Sequence, residues 1–167
     1  MTGFQKYIQE YCGLIPSENW LEEMNNSGKR TIELYSHIIE EQSHFAYAEG
    51  KWNLKELLQH LIDAEKIFAY RALRFARKDK TELAGWDEEL YAKYYFSEER
   101  KLQSLIAEFE AVRKSSVIFF ENLNKEQLSE TGIANGNEIS VETLGKLIIG
   151  HNIHHLNIIE ERYLPRL

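Results

Sequence analysis

Apolar side chains recur at intervals of three and four residues along four stretches of this sequence, and that spacing limits the fold more than any other feature. It predicts four amphipathic α-helices of roughly 20 to 26 residues. Three of them cover residues 17–39, 53–78 and 97–122, and the fourth begins at Ser140. Because no long run of alternating apolar and polar residues predicts a strand, we expect an all-α, four-helix bundle.

The predicted helix starts are marked by side chains that can accept hydrogen bonds from free backbone amides. Ser17, Ser97 and Ser140 stand at three of these starts, and Asn53 stands at the other. An acidic residue follows Asn53 by three positions, which is the spacing of a capping box. Gly28 is expected to be a weak point of the first helix, since glycine leaves the backbone unrestricted.

Length and composition fit one soluble domain spanning residues 1–167. The chain is 43% apolar and 28% charged, without an apolar run long enough to cross a membrane. Its net charge of −7 would repel a phosphate backbone, so neither nucleic acid nor membrane is an expected partner. The N-terminus lacks the apolar core of a secretion signal, so we expect a cytoplasmic protein. Cys12, the single cysteine, cannot form an internal disulfide.

The link 79–96 breaks the helical pattern and is rich in aromatic residues, with Gly85-Trp86-Asp87 at its centre. Links of this length between helices are more often functional than bare connections, so we predict that the segment from Gly85 to Phe96 forms a wall of a substrate pocket. A loop packed over the end of the bundle is the alternative. The links 41–52 and 124–140 also lack the helical period, apart from one helical turn predicted at 126–128.

Three of the six histidines lie within five residues of one another on the last predicted helix. His151 and His155 are four residues apart and continue the apolar seam of Leu144 and Ile148, so both face the core. Two imidazoles so placed can reach a single ion. His154 points about 100° away from His155. A pair of this kind is more often two hydrogen-bonded core residues, so a metal site requires a further ligand from elsewhere.

Four motifs occur in order along nearly the whole chain. They are Gly50-Lys51-Trp52-Asn53, the run Glu56 to Glu65 that contains His60, Gly85-Trp86-Asp87-Glu88, and Gly150-His151 with His155 four residues on. In this order they resemble the DinB/YfiT-like superfamily. Members of that superfamily are four-helix bundles with a crossed connection, in which one His on the second helix and a His-x-x-x-His pair on the last bind a divalent metal.

The resemblance implies a bundle with long crossover connections and maps the metal ligands onto His60, His151 and His155. Taken alone, His60 would be an ordinary core histidine on an apolar helix stripe. Three neutral imidazoles leave an ion with open coordination positions, which is typical of catalytic rather than structural sites. This ligand set suits zinc or nickel.

Two kinds of chemistry are compatible with such a centre. The ion can lower the pKa of a water molecule for hydrolysis, or it can hold a substrate thiol as a thiolate. The superfamily that the chain resembles includes both metal-dependent hydrolases and enzymes that use a low-molecular-weight thiol as cofactor. We therefore expect a metal-dependent enzyme that acts on a small molecule, either as a hydrolase or as a thiol S-transferase.

Other residues are assigned to the expected site by their position. Asp87 lies in the aromatic link, from which it can approach the mouth of the site, and we predict a catalytic role for it. Trp86 and Arg71 are predicted to bind the substrate or cofactor. Arg74 and Arg162 are further cationic candidates for the carboxylates of a thiol cofactor. The alternatives are a turn or capping residue for Asp87 and ordinary surface charges for the arginines.

A non-catalytic protein is the alternative to an enzyme. The same bundle could be a metal-stabilised stress-response or binding module, with exposed aromatic residues that contact a partner or form a homodimer interface. A shared fold does not decide between these functions, because function resides in the site.

Overall fold

Within residues 2–95 and 99–167, which the computed structural model describes, the chain forms seven α-helices and one two-stranded hairpin. In chain order these are α1 (Gly3–Cys12), α2 (Trp20–Ser36), α3 (Leu54–Ala76), α4 (Glu88–Tyr94), α5 (Leu102–Glu121), α6 (Lys125–Ser129), β1 (Thr131–Ala134), β2 (Asn137–Ser140) and α7 (Val141–Ile158). No helix in these two ranges is both long and apolar enough to cross a membrane.

The four long helices α2, α3, α5 and α7 form the bundle. Helix α2 packs against α5 and α7, and α3 packs against the same two helices. Helices α2 and α3, which are consecutive long helices, therefore lie diagonally across the bundle, and the connection between them crosses its end. The link from α5 to α7 crosses in the same way. This arrangement confirms the predicted all-α bundle with long crossover connections.

Side-chain caps begin two of the long helices where the sequence predicts them. At α3, Asn53 Oδ1 accepts from the Glu56 amide at 2.9 Å, and the Glu56 carboxylate accepts from the Asn53 amide at 2.8 Å. At α7, Ser140 Oγ accepts from the Thr143 amide at 3.1 Å. These bonds satisfy amide donors that have no partner within the helix. The helical turn predicted at 126–128 is confirmed as part of α6.

The predicted helix starts at Ser17 and Ser97 have different outcomes. Ser17 Oγ accepts from the Asn19 amide at 3.1 Å and closes a turn ahead of α2, which begins only at Trp20. The prediction at Ser17 was therefore wrong, because the N-cap position is Asn19, two residues later. Ser97 lies outside the described residues, and α5 is described from Leu102 onward.

Helix α1 was not predicted, and it packs directly on α7. The two backbones come so close at Gly150 that a Cβ there would lie 2.1 Å from the carbonyl oxygen of Tyr11. Glycine is therefore required at this crossing. Tyr11 lies beside the histidines of α7 as a result, with its ring centroid 5.8 Å from that of His151 and 5.1 Å from that of His154.

The β1–β2 hairpin is a second element that was not predicted. Its turn, Asn135-Gly136, has φ angles of 50° and 71°, as a tight hairpin turn requires. The hairpin also anchors the aromatic link, since the Leu83 amide donates to the Ile133 carbonyl and the Asn135 amide donates to the Leu83 carbonyl, both at 2.9 Å. The chain leaves this anchor close to Trp86 and then forms α4, which was not predicted either.

A layer of buried and half-buried polar residues crosses the middle of the bundle. It separates two apolar clusters. One is built from the first half of α2, the second halves of α3 and α5 and most of α7. The other is built from the second half of α2, the first halves of α3 and α5 and the residues that follow α7. All four long helices contribute to it; its members are Ser27 and Thr31 (α2), His60 and Glu65 (α3), Arg113 (α5), and His151, Asn152 and His155 (α7). We call this the central polar layer.

Candidate metal centre

Three histidines from two helices converge on one side of the central polar layer. The Nε2 atom of His151 lies 2.9 Å from Nε2 of His60 and 3.1 Å from Nε2 of His155. His60 belongs to α3 and the other two to successive turns of α7, so the packing of these helices creates the cluster. It is the one group of three or more potential metal-binding side chains among residues 2–95 and 99–167, and His154 is not part of it.

Burial keeps these three imidazoles neutral. His60 and His151 are buried, and His155 is half-buried. Desolvation lowers the pKa of His60 to about 4. Desolvation, followed by the neighbouring histidines, lowers the pKa values of His151 and His155 well below the ordinary value. An imidazole binds metal through an unprotonated nitrogen, so the rings are already in the form that metal binding requires.

The donor set fits a divalent metal ion. Imidazole nitrogens bound tetrahedrally at about 2.0–2.1 Å stand roughly 3.3 Å apart, close to the two separations measured in the cluster. Neutral rings that face one another in this way cannot satisfy all their nitrogens mutually, because each carries a single N–H. Moreover, Nδ1 of His155 is buried and has no hydrogen-bond partner in the described part of the chain, so no polar contact there fixes which nitrogen of that ring faces inward.

Aromatic side chains surround the histidine cluster. Trp52 and Trp86 lie against His60 with ring centroids at 4.7 and 5.8 Å, and the Trp86 ring is stacked at an interplanar angle of 21°. Phe68 meets the ring of His151 edge-on at 6.2 Å. These contacts restrict the orientation of the imidazoles and shield them from water. Trp86 was predicted to bind the substrate or cofactor. Its ring lies directly against His60, a candidate metal-binding residue.

Two neighbouring acids take different positions at the start of α4. Asp87 Oδ1 accepts from the Leu90 amide at 3.0 Å and caps the helix, so its predicted catalytic role stays a prediction. Glu88, the last residue of the Gly85-Trp86-Asp87-Glu88 motif and one without a predicted role, places Oε2 3.9 Å from Nε2 of His60. Its side chain is 57% exposed, so it stands between the cluster and solvent.

A cavity of about 230 Å³ adjoins the cluster and is lined by His155, Glu88 and Trp52, together with Tyr47 and Lys51. It gives a small molecule access to His155 from the side on which Glu88 stands. Small-molecule sites usually enclose about 300–1,000 Å³, so this cavity suits a small ligand.

The three candidate arginines are separated by the structure. Arg71 lies in a second cavity of about 350 Å³, which Trp86 also lines. Arg162 lies near the first cavity, where Nη1 donates to the Tyr47 hydroxyl at 3.3 Å. Arg74 is instead engaged in an ion pair with Asp79. Only Arg71 and Arg162 are therefore placed near a cavity.

Comparisons with known proteins agree with this architecture. The family model described as DinB superfamily matches residues 23–159. A protein of Oceanobacillus iheyensis named "Putative metal-dependent hydrolase" is 25% identical over 139 residues, which cover 82% of this chain and 79% of that protein.

A solved structure has the same fold. YfiT from Bacillus subtilis, described as "a probable metal-dependent hydrolase with an unusual four-helix bundle topology", superposes with a TM-score of 0.77. The match covers 86% of this chain and 83% of YfiT at 16% sequence identity, so it supports the fold alone. The resemblance predicted from the sequence motifs is confirmed.

Proposed function

This chain belongs to the DinB superfamily, and on that premise we propose that it is a metal-dependent hydrolase of small molecules, with His60, His151 and His155 as the metal ligands. The observation that carries the proposal is the convergence of three neutral imidazole nitrogens beside a cavity that an acid also lines. A closed structural site would draw a fourth ligand from the protein, whereas three leave room for a substrate.

Zinc or nickel is the metal that this all-imidazole donor set favours. When bound, such an ion polarises a carbonyl group and makes water a better nucleophile near neutral pH. The protein contributes neutral ligands, aromatic walls around His60 and His151, and an open side toward the first cavity.

Glu88 is proposed as the group that moves a proton during hydrolysis. Its carboxylate stands at the mouth of the cluster, and burial, followed by the charges of Glu89 and Asp87, raises its pKa. A carboxyl group with a raised pKa accepts and returns protons more readily near neutral pH than an ordinary surface glutamate. Trp52 and Trp86 limit the access of bulk water to His60 on the ring faces they cover.

The proposal is tested by stripping the purified protein of metal, reloading it with zinc or nickel, and measuring the hydrolysis of a panel of small esters and amides. Each assay is run with and without an added low-molecular-weight thiol. We expect turnover that requires metal and does not require the thiol. Turnover that appears only with the thiol would replace hydrolysis by thiol transfer, and metal binding without either activity would favour a non-catalytic module.

The role of Glu88 is tested in the same assay with Glu88→Gln. We expect kcat to fall about 100-fold, as is usual when a general acid or base is removed, while metal content stays unchanged. Glu89→Gln is the matched control, since Glu89 lines the same cavity and carries the same charge. A comparable fall in kcat for Glu89→Gln, or for Asp87→Asn alone, would move the role away from Glu88.

A further inference from the structure

The second cavity is lined by residues of α1, α3, the aromatic link, the hairpin and α7. Its volume is about 350 Å³, and α1 contributes Phe4 and Tyr7, α3 contributes Phe68 and Arg71, and the aromatic link contributes Trp86. Residues of the hairpin and of α7 complete its walls. The cavity thus combines an aromatic and aliphatic wall with a few polar groups, among them one cationic side chain, a composition typical of small-molecule sites.

Arg71 is a buried cation without an anionic partner in the described part of the chain. It is only 8% exposed, and its hydrogen bond there is from Nη2 to the Ala84 carbonyl at 2.8 Å. No carboxylate of residues 2–95 and 99–167 lies within 4.0 Å of it, although the chain has 27 acidic residues. A guanidinium has five N–H donors, and burying one without a counter-charge is unfavourable.

Arg113 shows how this chain treats a buried guanidinium that serves the fold. Its Nη2 atom lies 2.9 Å from Oε2 of Glu65, and both residues are buried. Arg71 differs from it in lacking such a carboxylate within the same described ranges. The difference indicates that the counter-charge for Arg71 is brought by a ligand.

Tyr7 adds a hydroxyl group to a cavity that Asn135 and Asn137 also line. Burial, followed by the neighbouring Tyr11, raises the pKa of Tyr7, so its hydroxyl stays protonated and can donate a hydrogen bond. The cavity therefore offers a cation and a neutral donor to a ligand, and offers no carboxylate among its lining residues. These are the groups that recognise a carboxylate.

The second cavity lies one aromatic layer from the histidines. Trp86 lines it and also stacks on His60, and Phe68 lines it and also contacts His151. A ligand that occupies the cavity therefore touches the same two side chains that hold the candidate metal ligands in place.

We propose that the second cavity binds small carboxylates with an apolar body, with the carboxylate on Arg71 and the apolar part against Phe4, Phe68 and Trp86. That such a molecule is the substrate rests on the proposed hydrolase function, whereas its binding at Arg71 does not. Phe4 and Tyr7 precede residue 23, where the match to the family model begins. The wall supplied by α1 therefore lies outside the part of the chain that the family model matches.

The test uses 4-phenylbutanoate as the probe and 4-phenylbutanamide as its uncharged control, titrated into the metal-free full-length protein. Removing metal ensures that the carboxylate is not captured by an ion at the histidines. We expect the carboxylate to bind at least about 10-fold more tightly than the amide, as a charge-assisted hydrogen bond predicts. The indole N–H signal of Trp86 should shift in the NMR spectrum of the unaltered protein.

Arg71→Gln should weaken binding of the carboxylate about 10-fold or more and leave binding of the amide unchanged. Arg71→Lys should retain part of the preference for the carboxylate, because it keeps the charge. Arg74→Gln is the matched control. Arg74 lies one turn along α3 from Arg71 and carries the same charge, but it does not line the cavity. It should bind both probes normally.

Equal affinities for carboxylate and amide, an unchanged affinity in Arg71→Gln, or an unshifted Trp86 signal would each overturn the proposal. If Arg71→Gln fails to fold, the comparison of the two probes in the unaltered protein decides. The outcome is separate from that of the proposed function. Carboxylate binding by a protein that takes up no metal would support the Arg71 site and contradict the proposed hydrolase function. Metal-dependent hydrolysis without a preference for the carboxylate would support the hydrolase function and contradict the Arg71 site.

Discussion

The two sides of the central polar layer bury polar groups in opposite ways. On one side, which we call the arginine network, all five N–H groups of Arg113 have acceptors. They donate to the Glu65 carboxylate at 2.9–3.1 Å, to the Met24 carbonyl and Ser27 hydroxyl at 2.9 and 3.0 Å, and to Asn152 Oδ1 at 3.0 Å. Arg113 and Glu65 are only 4% and 3% exposed, so the network is closed to water.

On the other side, the histidine cluster leaves its polar atoms facing one another. His151 is the neighbour of Asn152 on α7 and points to the opposite half of the layer, where the nitrogens of His60 and His155 meet it. Buried polar groups in a stable fold are normally paired, and Nδ1 of His155, which has no partner in the described part of the chain, is an exception that a functional site would explain. One turn of α7 therefore contributes Asn152 to the stabilising arginine network and His151 to the candidate metal centre.

Breaking the arginine network should have the largest effect. Arg113→Met leaves Glu65 buried without its partner, and we expect the free energy of unfolding in urea to fall by about 3–5 kcal/mol. The double variant Arg113→Met/Glu65→Leu should recover most of that loss, since both charges are then gone. A loss below about 1 kcal/mol in the single variant would mean that the pair is not part of the stabilising core.

The histidine cluster should respond in metal affinity and not in folding. We expect His151→Ala to weaken zinc or nickel binding about 100-fold or more, as measured by competition with a chelator, while the far-UV circular dichroism stays that of the unaltered protein. His154→Ala is the matched control, because its ring lies against Tyr11 outside the cluster. Equal losses of metal and helicity in His151→Ala would assign the ion to the fold.

Acid should destabilise the metal-free protein through the histidines. The pKa of His60 is about 4 in the fold against 6.5 as the ordinary value, so between these pH values the unfolded chain binds a proton that the folded chain does not. The contribution of His60 to stability should therefore decrease as the pH falls from 6.5 and level off near 4, a loss of about 3 kcal/mol. Urea unfolding in the presence of a chelator measures this. His60→Gln should flatten the pH dependence, and an unchanged slope in that variant would exclude His60 as its source.

The edge of the arginine network should give the smallest effect. Thr31 Oγ1 accepts from Asn152 Nδ2 at 2.9 Å and donates to the Ser27 carbonyl at 2.9 Å. Thr31→Val keeps the shape and removes these bonds, so we expect a loss of about 1 kcal/mol in urea unfolding. Ser36→Ala, at an exposed hydroxyl of the same helix, should change stability by less than about 0.5 kcal/mol. Equal values for the two would show that the network ends before Thr31.

The histidine cluster was predictable because it leaves strong local signals. The spacing of His151 and His155 places them on one helix face, whereas His60, an ordinary core histidine when taken alone, was added by the resemblance to the superfamily. The arginine network was not predictable in the same way. Glu65 and Arg113 look like ordinary surface charges on amphipathic helices, and nothing in their spacing shows that 48 residues of chain separation bring them together.

The elements that were missed are those whose signals are short. Asn135-Gly136 is a strong hairpin signal, but each strand has only four residues and shows no clear alternation. Gly28, expected to weaken the first helix, has a packing reason instead: a Cβ there would lie 2.7 Å from Cγ of Arg113, so glycine gives the arginine room to reach α2. Tertiary contacts of this kind override local propensity.

The arginine network also sets the alignment of the helices along their axes. Helices that meet through apolar side chains alone can slide by one turn, about 5.4 Å, and still bury similar surfaces. Sliding α3 past α5 would carry Glu65 away from Arg113 and leave both charges among apolar residues, so we infer that the pair locks one alignment. The same axial alignment places Nε2 of His60 on α3 next to Nε2 of His151 on α7. Arg113→Met/Glu65→Leu should therefore bind metal less tightly than the unaltered protein. It has lost the ion pair that fixes how far α3 and α5 are shifted along their axes.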